Sequence, residues 1–216
     1  MSVKKNERES RQVIVADKSK MKKITRILLF IVVLSSVVWT ILTLWVQQTA
    51  VNKTWELGNG ASGPSALIVF NPDPIYNFDE QICVAFGQAL VKHRFRVQIA
   101  TVAAAQRLKD QPDLFVLCAN TYNWRPDRSI SNFIRSYPSL VKQDVIAITL
   151  GSGSTEASQQ KFERLIEETG GNLIGSKSFW LMKPNDETRM DESNVAVATG
   201  MTYQWGEEIA KRFYPQ

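Results

Sequence analysis

Histidine and cysteine are nearly missing from this chain: 216 residues hold one histidine, His93, and two cysteines, Cys83 and Cys118. With so few of these ligands there is no His/Cys cluster for zinc and no supported Ser-His-Asp triad. Both cysteines lie in apolar runs, QICVAF and LFVLCAN, where a small buried thiol is commonplace, so they read as core residues. The body of the chain also lacks a net basic charge. Residues 1–26 hold nine Lys/Arg against Glu7, Glu9 and Asp17, whereas the other 190 residues carry 17 basic and 18 acidic groups. A nucleic-acid-binding domain with its own basic face is therefore not expected, because phosphate binding needs cations clustered on the fold itself. With 44% hydrophobic and 22% charged residues the composition is near the globular average, which excludes disorder, collagen-like repeats and coiled-coil rods. There is material for one core and hardly for two.

What the chain does have is one long apolar run. Ile27–Val46, ILLFIVVLSSVVWTILTLWV, is 20 residues without a charge, and the next charge is Lys53. At about 1.5 Å per residue such a helix crosses a hydrocarbon core of about 30 Å once. Ser35, Ser36, Thr40 and Thr43 can return their hydroxyl protons to backbone carbonyls, and Trp45 falls near the far interface. A buried soluble helix seldom joins this length to so sharp a basic boundary, and a cleaved signal would have an apolar region of about 7–15 residues. An uncleaved anchor is expected. All nine cations precede it and only Lys53 follows closely, so the positive-inside rule puts the N-terminus in the cytoplasm and residues 53–216 across the membrane. The expected map is a basic cytoplasmic tail at 1–26, a transmembrane helix at 27–46, a linker at 47–65 and a folded domain at 66–212. Asn52-Lys53-Thr54 is a glycosylation sequon, a weak three-residue pattern beside the bilayer.

Beyond the Gly/Ser-rich LGNGASGPS, the hydrophobic period switches repeatedly. Strands are expected at Ala66–Phe70, Arg96–Ala100, Asp113–Ala119, Val145–Leu150 and Leu173–Leu181. Helices are expected at Asp79–His93, Val102–Lys109, Arg128–Tyr137, Glu156–Thr169 and Asn194–Arg212, with Pro138 and Gly170-Gly171 as stops. Strand–helix alternation with short connections predicts an α/β, doubly wound parallel sheet covered on both faces.

In this order the loops resemble those of the flavodoxin family, including flavodoxin-like FMN quinone and flavin reductases. The resemblance rests on three stretches: CANTYNWRP (118–126), TLGSGS (149–154) and YQWGEEIA (203–210). It implies five parallel strands in the order 2-1-3-4-5, with ligand at their carboxyl ends where the order reverses. By the same likeness FMN is the expected cofactor. Tyr76, Asn77 and Phe78 would lie at its phosphate end, and Asn120, Thr121, Tyr122, Asn123, Trp124, Gly151, Ser152 and Gly153 around its ring.

The first loop departs from that pattern. Asn71-Pro72-Asp73-Pro74-Ile75-Tyr76-Asn77-Phe78-Asp79-Glu80 has no Ser, Thr or Gly, and Asp79 stands where the family has a phosphate-binding Thr. Two prolines remove N–H donors, and Asp73, Asp79 and Glu80 make the mouth acidic, with no cation in the loop itself. Like charges about 5 Å apart at an effective dielectric near 20 repel by roughly 3 kcal/mol, about a hundredfold in affinity. Three readings stay open: a membrane-tethered FMN protein exchanging electrons with NAD(P)H, a quinone or a redox partner; a non-enzymatic interaction or scaffold domain; and a module for a less anionic ligand.

Overall fold

A computed structural model describes residues 2–48, 52–58, 62–108 and 111–213, with side chains from Met21 onward. The chain divides into two compact units that meet between Trp45 and Val46. The first is one helix, α1 (Ser2–Val46). Its Met21–Val46 portion is 26 residues long and apolar enough to cross a membrane, with none of that span buried inside the protein. The hydroxyls of Ser36 and Thr40 donate to the carbonyls four residues back, each at 2.8 Å, so these groups carry no open donor along the apolar run.

The second unit begins with β1 (Thr54–Leu57), β2 (Ser65–Phe70), α2 (Phe78–Lys92), β3 (Arg96–Thr101) and α3 (Val102–Ala105). It continues with β4 (Leu114–Tyr122), β5 (Arg125–Pro126), α4 (Arg128–Ser136), β6 (Asp144–Gly151), α5 (Glu156–Glu168), β7 (Asn172–Trp180) and α6 (Asn194–Phe213). The sheet order is β1-β3-β2-β4-β6-β7. The five strands from β3 to β7 in that row are parallel and run 2-1-3-4-5, the order the family resemblance implies.

Alternation along each inner strand explains why both faces are covered. In β2, Ala66, Ile68 and Phe70 enter one core while Leu67 and Val69 enter the other. Strand β4 divides the same way, with Val116 and Cys118 on one side and Phe115 and Leu117 on the other. The first core is roofed by α2 and α6, which approach closely: a Cβ on Gly206 would lie 2.8 Å from the Ala89 Cβ. The second is roofed by α3, α4 and α5. Cys83 and Cys118 are both free thiols inside the first core, and burial pushes the Cys83 thiol above its ordinary value.

Three elements differ from expectation. Residues 54–57, within the stretch expected as linker, form the antiparallel edge strand β1 on β3, from Thr54↔Ala100 to Leu57↔Val97. Their inward side chains are useful there: Trp55 meets Phe70 edge-on with centroids 6.1 Å apart. The helix expected at Val102–Lys109 ends at Ala105, since a single turn without capping has little to sustain it; Lys109 lies outside the described residues. Strand β4 runs three residues past Ala119 because β5 folds back on it, pairing Thr121 with Pro126 and Tyr122 with Arg125. The two turn residues, Asn123 and Trp124, have φ of 50° and 57°, as a tight type I′ hairpin requires.

Candidate functional site

Because β2, β4 and β6 are parallel, the loops that follow them converge at one edge of the sheet. The loop after β2 is organised by a carboxylate. Asp79, in the first turn of α2, is 1% exposed. Its Oδ2 accepts from the Asp73 N–H at 2.6 Å and from Asn120 Nδ2 at 2.9 Å, and its Oδ1 accepts from the Glu80 N–H at 2.8 Å. Asp79 is therefore a clasp between the loop and β4, not the helix cap; the cap position belongs to Asn77, in left-handed conformation with no side-chain cap bond. Asp73 closes the loop further: its Oδ1 accepts from the N–H groups of Ile75 and Tyr76, and its Oδ2 from the Tyr122 hydroxyl at 2.9 Å.

A second buried carboxylate supports α4. Asp127, also 1% exposed, caps that helix by accepting from the N–H groups of Ser129 and Ile130, and Asn71 Nδ2 donates to its other oxygen at 3.3 Å. Burial raises both carboxyls, Asp79 and Asp127, to about 6, against the hydrogen bonds that lower them. Burial and the nearby Asp73 carboxylate push the Tyr122 phenol well above its ordinary value, so it stays a donor.

The mouth is less uniformly acidic than the loop sequence implies. Lys53, just ahead of β1, reaches Glu80 at 2.8 Å, while its backbone is bonded to Thr101 at the end of β3. A cation 27 residues away in sequence thus answers one of the three acids.

The expected site residues meet at this edge in part. Gly151 ends β6 beside Thr121, where a Cβ would sit 3.3 Å from the Thr121 Cβ and 2.7 Å from Thr155 Cγ2. The Ser152 carbonyl is taken by the N–H groups of Met182 and Lys183, and Gly153 lies against the Lys183 side chain. Asn120 and Tyr122 are committed to Asp79 and Asp73. Phe78 is buried in the α2 side of the core, whereas Tyr76 and Asn77 are exposed. Asn123 and Trp124 line a groove of about 940 Å³ between α4 and α5, with the Trp124 carbonyl accepting from Lys161 Nζ at 3.1 Å. Asp127 was not singled out from sequence, and Lys53 was read only for topology and as part of the sequon; an Asp two residues ahead of Ser129, opening a helix, was the readable signal for the first.

An FMN phosphate does not fit the loop after β2. The N–H groups of Asp73, Ile75 and Tyr76 are already taken by carboxylates of the loop, Pro72 and Pro74 offer none, and the buried Asp79 oxygen stands among the donors.

No family model and no curated protein matches the chain. Solved structures do. Two-electron reduced flavodoxin from Megasphaera elsdenii is similar over 68% of this chain and 98% of its own, with 15% identity and a TM-score of 0.50. The flavodiiron protein from Giardia intestinalis is similar over 69% of this chain, which spans only 35% of that protein, with 11% identity and a TM-score of 0.50. At such identities the likeness is one of fold: the second unit has the flavodoxin-like α/β fold.

Proposed function

We propose that this chain is a membrane-tethered flavodoxin-like module that acts by binding and does not carry electrons through FMN. The observation that carries this reading is the Asp79 clasp. A carboxylate buried at the phosphate end, holding two backbone N–H groups and Asn120, does structural work with the groups a flavin phosphate would need. FMN-dependent electron transfer, or quinone or flavin reduction, has the fold in its favour and nothing in the loop after β2. The anchor is α1, with the N-terminus in the cytoplasm and the folded unit on the other side, supported by the nine cations ahead of Ile27.

Two measurements test the proposal. Riboflavin and FMN titrated against the full chain in detergent should keep their fluorescence at micromolar protein, whereas Asp79→Thr should bind FMN more tightly than wild type does. Micromolar FMN binding by the wild-type chain would overturn the non-redox reading. Protease added to sealed vesicles of known sidedness should cut the folded unit only from the non-cytoplasmic face; the reverse pattern would overturn the orientation.

A further inference from the structure

The groove between α4 and α5 is the other open feature of this edge, and its chemistry is opposite to that of the Asp79 loop. Arg125, Arg128, Arg135, Lys161 and Arg164 line it, all exposed, against one acid, Glu168. Among the described residues the ion pairs join Lys53 to Glu80, Lys92 to Glu207 and Arg189 to Glu192, so none involves these five cations. Five cations without an ion pair around one groove, two of them bonded only to backbone carbonyls (Lys161 to Trp124, Arg135 to Ser131), on a body whose charges nearly balance overall, are a local device for an anion.

Two further observations say which anion. Gln47, one residue past the end of the apolar helix, forms part of the groove wall. The domain holds that segment down: Ser129 Oγ donates to the Gln47 carbonyl at 3.2 Å, and Asn71 Nδ2 to the Gln48 carbonyl at 3.1 Å. Consecutive Cα atoms are about 3.8 Å apart, so the groove begins within a residue or two of the chain's exit from the span. At the same groove stands Trp124, 65% exposed, in a left-handed conformation unfavourable for a bulky residue. An exposed indole beside clustered cations, next to a membrane-exit segment, is the composition of an interfacial contact.

We infer that the α4–α5 groove holds the headgroup of an anionic phospholipid from the bilayer that α1 enters. The inference rests on the membrane-spanning reading of α1. The phosphate would be taken by Arg128 and Arg164 from the two facing helices, with Trp124 at the level of the headgroups.

The test uses the full chain in nanodiscs of phosphatidylcholine, alone or mixed with phosphatidylglycerol, each with a little phosphatidylcholine bearing a doxyl quencher on its headgroup. The contribution of Trp124 is the emission lost in Trp124→Phe. It should be quenched about twofold more in the anionic discs, with the difference abolished by Arg128→Glu/Arg164→Glu and reduced by the milder Arg128→Gln/Arg164→Gln. Equal quenching in both discs, or a difference that survives charge reversal in a chain with unchanged circular dichroism, overturns the inference and leaves the anchor standing. A response of Trp124 to soluble polyglutamate but not to anionic lipid also overturns it, in favour of an acidic protein. A chain that does not stay with the discs overturns the anchor, and the inference with it.

Discussion

The loop after β2 and the groove between α4 and α5 lie at the same edge of one sheet and use their charges in opposite ways. In the loop and at the start of α4, two carboxylates are buried and a third is half-buried, and the bonds they make are internal: Asp79 to Asp73 and Asn120, the half-buried Asp73 to Tyr122, Asp127 to Asn71 and the start of α4. In the groove, five cations are exposed and form none of the ion pairs among the described residues. A polar group whose partners all belong to its own chain contributes to stability; one without partners is available to something else. The comparison separates the part of this edge whose charges are tied up within the fold from the part whose charges stay exposed.

The largest expected effect is on pH dependence. Asp79 and Asp127 have folded values of about 6 against an ordinary 3.8. The folded state therefore holds these protons more tightly than the unfolded chain, and stability falls as pH rises from about 4 through 6. A shift of about two units corresponds to roughly 3 kcal/mol per group. Urea midpoints should be higher at pH 5 than at pH 7, and Asp79→Asn/Asp127→Asn should flatten the difference. Asp113, held below its ordinary value by the Ser65 N–H, acts in the opposite sense at lower pH. A midpoint that rises steadily between pH 5 and 7 would break the assignment of the buried carboxyls as the costly groups.

Next in size is Asp79→Ala, which leaves the Asp73 N–H and Asn120 Nδ2 without their acceptor. Unsatisfied buried donors cost about 1–3 kcal/mol each, and at pH 7 removal of a buried charge that itself costs roughly 3 kcal/mol offsets much of this, so a net loss of up to about 3 kcal/mol is expected by chemical denaturation, larger at pH 5 than at pH 7. Smallest is the effect of Arg128→Ala or Arg164→Ala on stability, within about 0.5 kcal/mol by the same measurement. A loss from either arginine as large as that from Asp79→Ala would erase the distinction between the two regions.

The five parallel strands were legible because each is a short apolar run bounded by charge or turn residues, and their order followed from the family likeness. The composition of the first loop was also legible, since the prolines and the Asp79 carboxylate stand in the sequence itself, whereas the bonds Asp79 makes to Asp73 and Asn120 come only with the fold. Strand β1 was not, because Thr-Trp-Glu-Leu gives only two apolar positions, too few to reveal a period of two beside a glycine-rich linker. The groove was hidden for a different reason. Its cations come from β5, α4 and α5, so no window of sequence contains the cluster, and the balanced charge of the body conceals it. The Lys53–Glu80 pair was hidden in the same way, by a fold that brings the start of β1 to the start of α2.

Strand β1 also determines where the chain can be cut. The resemblance places the flavodoxin-like unit from about Ser65, yet the outer edge of β3 is paired by Thr54–Leu57. A fragment that starts after the glycine-rich segment would keep all five parallel strands and uncover the N–H and C=O groups of Val97–Ala100, with Phe70 stripped of Trp55. That bare edge is a template for another copy, and such a fragment should self-associate where one beginning ahead of Asn52 stays monodisperse. The short strand that follows α1 thus serves as a guard rail for the sheet, so part of the stretch expected as linker belongs to the fold.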